Sequence, residues 1–416
     1  MRILVIGGGG REHAIIWKLS QSKRNPELYC APGNAGIAKL ARCIPLKATD
    51  LDGIVEFSKD EGIDLVFVAP DDPLAMGLVN KLLENGITAF GPTAQAAEIE
   101  ASKSFSKRLM KKYGIPTAEY EVFTEVETAK EYISKLTPPI VIKADGLALG
   151  KGVIISETLD DAYGSVSMMM SGSAFGESGK TVLVEEYLRG RELTVLAFTD
   201  GYSVKTMPPS RDHKKALDGD KGLNTGGMGA ICPVPGIDRV MEERMREEIF
   251  LPTIKALRKE GRPFEGVIYF GLMLTDDGPK VIEYNARFGD PETQAVLPLL
   301  NTDLLEIVEA VISHRLDKIR IEWSEKSSCC VVLASGGYPS GYETGKIISG
   351  LDVEDDIIFH AGTRYDKDGV IVTSGGRVLG ITALGDSSEE AMIKAYEKVA
   401  GIKFENMHFR RDIGRS

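Results

Sequence analysis

Three side chains at alternate positions, Glu283, Asn285 and Arg287, put a carboxylate, a neutral amide oxygen and a guanidinium into the stretch V-I-E-Y-N-A-R-F-G-D-P-E-T (281–293). Side chains alternate between the faces of a strand, so these three project one way while Ile282, Tyr284 and Ala286 take the other. A carboxylate with an amide oxygen suits a hard divalent cation that keeps its remaining positions for water and phosphates. A guanidinium beside them suits a carboxylate or phosphate held by two hydrogen bonds. An edge strand with a solvated polar face carries the same pattern, so the stretch alone leaves both readings open.

Other segments offer groups that complement a phosphorylated ligand. The strand-like T-P-P-I-V-I-K-A-D (137–145) ends at Lys143 and runs into D-G-L-A-L-G-K-G-V-I-I (145–155). This is not a Walker A loop: three residues separate Gly146 from Gly150, and Gly152, not Ser or Thr, follows Lys151. The functional reading is a glycine hairpin folding over a triphosphate, with Lys143 and Lys151 as point charges; a plain hairpin turn is the alternative. Glu185 and Glu186 end the apolar run 181–188, where they suit an adenine amino group or ribose hydroxyls as readily as solvent. Gly7–Gly10 lies between a buried strand (2–6) and a helix (about 12–20), which offers free N–H groups to a phosphate. It is not the dinucleotide fingerprint, because Glu12 stands where the third glycine belongs. A long polar loop, 208–230, carries Asp212, His213 and Lys214 and then Asn224 to Ala230; such loops are usually disordered or functional.

The elements that must position these groups alternate strand and helix over the first hundred residues, the pattern of a parallel sheet. Loops 31–36 and 70–73 then fall beside the glycine loop at the strands' carboxyl ends, where open α/β sheets bind ligands. A helix over 94–113 follows, with most of Lys103, Lys107, Lys111 and Lys112 expected in solvent. The hairpin from 267–274 to the strand at 281 closes the central body, and 329–416 reads as a small α+β domain without chemistry of its own. The expected class is α/β, with more than one domain in a chain of this length.

Composition narrows the partners. Fifty basic against 61 acidic residues, a net charge of −11, disfavour nucleic acid or an anionic membrane. Five cysteines make no disulfide framework, and no CxxC or Cys/His cluster suggests zinc. Four consecutive apolar residues from Ile3 are too few for a signal peptide, and the apolar run near 267–274 is far short of a bilayer span. A cytoplasmic monomer or small homo-oligomer is expected.

Together the pieces resemble the ATP-grasp superfamily and, within it, the glycinamide ribonucleotide synthetase family. The resemblance is carried nearly end to end by G-G-R-E-H (9–13), A-P-G-N-A-G (31–36), F-G-P-T (90–93), I-V-I-K-A-D-G-L-A-x-G-K-G-V (140–153), D-H-K (212–214), N-T-G-G-M-G-A (224–230), R-F-G-D-P-E-T-Q (287–294) and G-G-R-V-L (375–379). Three positions depart from the family's pattern: Asp71 replaces a usual Glu, Arg191 a usual Glu, and Leu223 a usual Pro. The resemblance implies three parts, an N-terminal parallel-sheet domain (1–101), a central ATP-grasp domain (102–327) with a lid subdomain at about 120–187, and a small α+β C-terminal domain (328–416), and the joining of glycine to 5-phosphoribosylamine, with ATP as co-substrate and Mg²⁺ or Mn²⁺. It implies that Lys103 and Lys143 hold phosphates, that Gly146, Gly150, Lys151 and Gly152 close over them, and that Glu185, Leu188 and Glu192 hold adenine and ribose. Glu283 and Asn285 would bind metal, and Arg287, with Lys143 the implied catalytic pair, would face the glycine carboxylate and acyl phosphate. The amine substrate would meet Gly9, Gly10, Arg11, Glu12, Asn34, Asp71, Asp212, Lys214, Asn224, Thr225, Gly226, Gly227, Met228, Gly289 and Asp290. Another ATP-grasp carboxylate–amine ligase, or a non-catalytic nucleotide-binding protein, is the alternative.

Overall fold

The computed structural model describes residues 1–147, 152–172, 176–351 and 357–415. The first hundred residues form a five-stranded sheet, parallel throughout, with Arg2–Gly7 at its centre between Glu27–Pro32 and Leu65–Val68. The run Ile3–Ile6 is completely buried, as expected of a parallel strand covered on both faces. The first helix runs Gly10–Leu19, and Glu12 folds back to cap Gly9, its Oε2 accepting from the Gly9 N–H at 2.6 Å. The segment expected as one helix over 94–113 is two, Ala94–Ala101 and Lys103–Tyr113. Ser102 between them adopts an extended backbone, and its hydroxyl accepts from the N–H of Phe105. A side-chain cap in mid-run breaks the helix where apolar periodicity alone would continue it.

Two four-stranded sheets make the middle of the chain. One joins Tyr120–Phe123, Val182–Glu186, Ile140–Ala144 and Val153–Ser156, all antiparallel. The other joins Val204–Thr206, Arg191–Asp200, Glu265–Thr275 and Gly278–Asn285. The last hairpin is irregular, because Gly271 faces Glu283 but Leu272 faces Val281, so Ile282 is an extra residue. The polar loop 208–230 is largely ordered into strands. Gly229–Cys232 pairs with Ser327–Ser335 and so belongs to a six-stranded sheet with the C-terminal strands.

The sheet over 120–186 and the C-terminal sheet each pack a cluster of their own, but the N-terminal and central sheets share theirs. One apolar cluster joins Leu4, Ile6 and Val68 to Phe250, Phe270 and Tyr284; another joins Val5 and Phe67 to Phe198, Phe288 and Leu305. The N-terminal sheet is thereby packed onto the central sheet, which brings its carboxyl-end loops over the strand that carries Glu283 and Asn285. Among the described residues no helix is long and apolar enough to cross a membrane.

The N- and C-terminal parts meet at two buried histidines. His13 Nδ1 accepts from the backbone N–H of His360 at 2.7 Å, so this nitrogen carries no proton. Burial pushes His13 down to about 3 and His360 down to about 4, from an ordinary 6.5. Lowered values mean that the unfolded chain binds more protons than the folded one below pH 6.5. Their stabilising effect is complete above that pH and falls away as pH drops towards 4. The loss of unfolding free energy between pH 7 and 5, measured in urea, should exceed that of a His360→Asn variant by about 2 kcal/mol. Equal losses in the two proteins would show that His360 is protonated in the fold.

Candidate active site

The loops of the first sheet, the inner face of the second and part of the third enclose a cavity of about 480 Å³. Its polar lining is organised around paired charges, each pair drawn from distant segments. Arg287 Nη2 meets Glu100 Oε1 at 3.0 Å and Asp71 Oδ2 at 4.0 Å, and Nη1 donates to the Phe288 carbonyl at 3.1 Å. Its Nε is buried without a partner, leaving a donor open. Burial works against charge on Arg287, but Glu100 and Asp71 hold it well above the ordinary arginine value. Glu100 has its own value raised by burial, and its Oε2 accepts from the Ala286 N–H at 2.7 Å.

Lys143 Nζ donates to the carbonyl of Ile282 at 3.0 Å and pairs with Glu185 Oε2 at 3.0 Å. The irregular hairpin register thus presents Ile282 to a lysine, a use typical of bulges next to functional sites. Lys107 shares the same carboxylate oxygen at 3.0 Å. It is only 2% exposed, not in solvent as the helix charge pattern suggests, and burial lowers it to about 8 despite Glu185. With Oε2 held by two lysines, Glu185 Oε1 is buried and unpartnered, an acceptor left open. Lys103 Nζ donates to the Gly146 carbonyl at 2.8 Å.

On the opposite wall Lys214 pairs with Glu192 and, at 3.6 Å, with Glu283 Oε1. Burial alone would lower Lys214, but Glu192, Asp212 and Glu283 raise it well above the ordinary lysine value. Burial would raise Glu283; Lys214, Lys143, Lys103 and Arg287 instead bring it below the ordinary range. Asp212 is the reverse case: burial raises it well above 3.8, and its Oδ1 has no partner. Asp290 is gripped by Arg377 Nη2 at 3.1 Å and Gln294 Nε2 at 2.7 Å.

Arg11, Asp71, Lys103, Lys143, Gly146, Gly152, Glu185, Asp212, Lys214, Asn224, Thr225, Gly226, Glu283, Asn285, Arg287 and Asp290 all line this cavity. Gly9 and Asn34 line a neighbouring one of about 320 Å³. Asn34 is spent on the scaffold, donating to the Gly8 and His360 carbonyls and accepting from the N–H groups of Gly36 and Ile37. Several expected residues support the wall from behind. Glu12 holds Gly9 and Arg11, Gly10 packs on Gln294, and Gly289 packs on Glu292. Gly227, at φ +110°, has no room for a Cβ against Pro291, and Met228 is fully buried in the C-terminal core. Leu188 is 8% exposed, and Glu192 acts through Lys214. Gly150 and Lys151 lie outside the described residues. Glu100, Lys107, Tyr269, Glu292, Tyr338 and Arg377 also line the cavity. The last two correct the expectation that the C-terminal part contributes no chemistry.

Glu283 and Asn285 do share a face. Each has spare acceptor capacity, since Lys214 stands 3.6 Å from Glu283 and, among the described residues, Asn285 Oδ1 accepts from Arg287 Nη2 alone, at 3.4 Å. Among the described residues no three His, Cys, Asp or Glu side chains form a ready cation cage. Two oxygens on one wall fit a divalent cation that takes its remaining ligands from phosphates and water.

Family models for phosphoribosylglycinamide synthetase match the chain over residues 1–100 (N domain), 101–293 (ATP-grasp domain) and 328–416 (C domain). The chain belongs to this family. It is 49% identical over 414 residues to a phosphoribosylamine–glycine ligase of Caldanaerobacter subterraneus subsp. tengcongensis, covering 99% of both chains. The solved phosphoribosylamine–glycine ligase of Thermotoga maritima is 37% identical, with a TM-score of 0.88 and coverage of 99% of this chain and 100% of that one. A biotin carboxylase of Campylobacter jejuni, 14% identical with a TM-score of 0.75 over 99% of this chain and 94% of its own, shares the fold. The protein is therefore an ATP-grasp ligase with an N-terminal parallel-sheet domain and a C-terminal domain.

Removing one partner from a buried ion pair strands the other. Glu100→Ala should cost about 3 kcal/mol of unfolding free energy by leaving Arg287 short of its nearest countercharge. A loss below about 1 kcal/mol in urea unfolding would contradict the pairing.

Proposed function

We propose that the protein joins glycine to 5-phosphoribosylamine at the expense of ATP, a step of purine biosynthesis, by way of glycyl phosphate. The observation that carries this reading is the set of cations and carboxylates brought to one cavity: Lys103, Lys143, Lys214 and Arg287 with Glu185, Asp212 and Glu283. A free carboxylate is a poor acyl donor. The γ-phosphoryl group of ATP first moves to the glycine carboxylate, forming a C–O–P link as the anhydride P–O bond breaks. The amine nitrogen then forms the amide C–N bond, and phosphate leaves.

Each side chain has a part in this scheme. Lys103 and Lys143 neutralise the ATP phosphates, with Gly146 and Gly152 beside them. Glu185 Oε1 takes a hydrogen bond from the adenine amino group, with Leu188 and Glu192 along the nucleoside. Glu283 and Asn285 hold Mg²⁺ or Mn²⁺, which when bound neutralises phosphate charge. Arg287 orients the glycine carboxylate and holds the acyl phosphate, while Glu100 and Asp71 keep the guanidinium fixed. Asp212, which lines the same cavity, takes the proton that the attacking amine sheds. Rate enhancement then rests on orientation and prepaired charge in a cavity shielded from water.

The deciding experiment is ADP release with glycine, with and without freshly generated phosphoribosylamine. Turnover should require both, and ADP release that ignores either substrate would overturn the reading. Lys143→Ala should weaken ATP binding by about 1.5–3 kcal/mol, the range of a charge-assisted bond, as read by titration calorimetry. Glu283→Ala should abolish divalent-cation-dependent turnover while the protein stays folded; wild-type activity would remove Glu283 from the metal site.

A further inference from the structure

The hairpin Lys215–Leu217 with Lys221–Asn224 pairs with no other sheet among the described residues. Leu217 and Leu223 are exposed, and an isolated two-stranded hairpin is marginal in water. Yet both of its feet stand in the active-site cavity. Lys214 precedes the first strand, Asn224 ends the second, and Thr225 donates through its N–H and Oγ1 to the Lys214 carbonyl at 2.7 and 2.9 Å. Something outside the hairpin must keep those feet in place.

That role falls to the end of the chain. His408 Nε2 donates to the Ala216 carbonyl at 2.7 Å, and Arg410 Nη1 donates to the Lys215 carbonyl at 3.1 Å and to Asp220 Oδ1 at 2.7 Å. The Arg411 N–H donates to Asp218 Oδ1, and Asp412 Oδ2 accepts from the Gly219 N–H, both at 2.7 Å. Strand and turn are therefore gripped from one side along their length. The grip is itself anchored. Arg410 is 1% exposed and forked onto both oxygens of Asp412 at 2.8 Å. Tyr396 hydroxyl donates to the Arg410 carbonyl at 2.8 Å and accepts from the Ile413 N–H at 3.0 Å, and Ile413 is buried in the C-terminal core.

We propose that residues 408–412 clamp the hairpin that carries the amine-substrate residues, with Arg410 as its central positioning residue. The link to the amine rests on the assignment of Asp212, Lys214 and the 224–226 segment to that substrate. On the ATP side Lys103, Lys143 and Glu185 stand on other elements, and Glu192, the nucleoside residue that pairs with Lys214, is held by the strand Arg191–Asp200. Loss of the clamp should therefore separate the two substrates.

The test compares wild type with Arg410→Ala, Arg410→Lys and Asp220→Ala; the last removes one partner of the arginine at an exposed turn. In Arg410→Ala the hairpin amides should exchange hydrogen at least tenfold faster, and kcat/KM for phosphoribosylamine should fall at least tenfold. The Kd for ATP should stay within twofold, Arg410→Lys should recover part of the loss, and Asp220→Ala should show a smaller loss of the same kind. Unchanged hairpin exchange, faster exchange with unchanged amine kinetics, or an equal loss for ATP and amine would each overturn the clamp. If Arg410→Ala does not fold, Asp220→Ala decides by the same criteria. Wild-type protein that releases no ADP with glycine and the amine would refute the proposed reaction instead, and the exchange measurement would still decide whether the clamp exists.

Discussion

The structure depends on keeping charges in a cavity largely removed from water. An unpaired buried ion costs several kcal/mol, so a site that must meet triphosphate and carboxylate has to carry its countercharges with it. Here most of the described cations of the site are paired in advance, and the pairs cross the chain: Arg287 with Glu100 and Asp71, Lys143 and Lys107 with Glu185, Lys214 with Glu192 and Glu283, Arg377 with Asp290. The same contacts that make the charges tolerable fix the sheets against one another. Prepairing also leaves single atoms unused, and those atoms are where a ligand gains most, because an unmet buried donor or acceptor is otherwise a standing cost.

The two lysines on Glu185 show how such a site tunes itself. One carboxylate oxygen satisfies both cations, so the other stays free, while the crowding of Lys107 by burial and by Lys143 brings its value down towards neutrality. Lys143 is steadied further by the Ile282 carbonyl, exposed by the extra residue in the hairpin. A regular ladder would leave Glu283 and Asn285 on the same face but would remove this second point of attachment.

Much of this was legible in the sequence where the signal is local. Period-two alternation placed Glu283 and Asn285 on one face, while Arg287, beyond the strand's end at Asn285, reaches the same cavity from the following turn; the glycine loop after the first strand fell at the carboxyl ends as the alternation of strand and helix required. The resemblance supplied Asp212, Lys214 and the 224–226 segment, whose position depends on a fold no spacing rule reveals. What escaped was long-range. Glu100 ends an unremarkable helix, Lys107 sits among lysines that read as solvated, and Arg377 lies 90 residues beyond Arg287 in a region without other chemistry. Each is defined by a partner distant in sequence, and single-sequence patterns carry no pairing information. The helix break at Ser102 was missed for a different reason: a serine cap in mid-helix looks like an ordinary polar residue until its hydroxyl is seen to accept from Phe105.

The departures from the family's pattern fall where this charge scheme can absorb them. Leu223 is exposed on the hairpin, and its nearest strand pairings are at Lys221 and Asn224, so it takes no part in the recorded register. Arg191 begins a strand opposite Leu274, outside the cavity lining. Asp71 is the one that touches the site. Its carboxylate stands 4.0 Å from Arg287, a looser contact than the 3.0 Å of Glu100, and Arg287 with Arg11 brings it below the ordinary aspartate value in spite of burial. The shorter side chain therefore leaves Glu100 as the principal countercharge and keeps Asp71 ionised at the mouth of the N-terminal loops. An ionised carboxylate not fully committed to Arg287 retains acceptor capacity for a substrate amine, so losing a methylene shifts the balance between the two tasks without removing either.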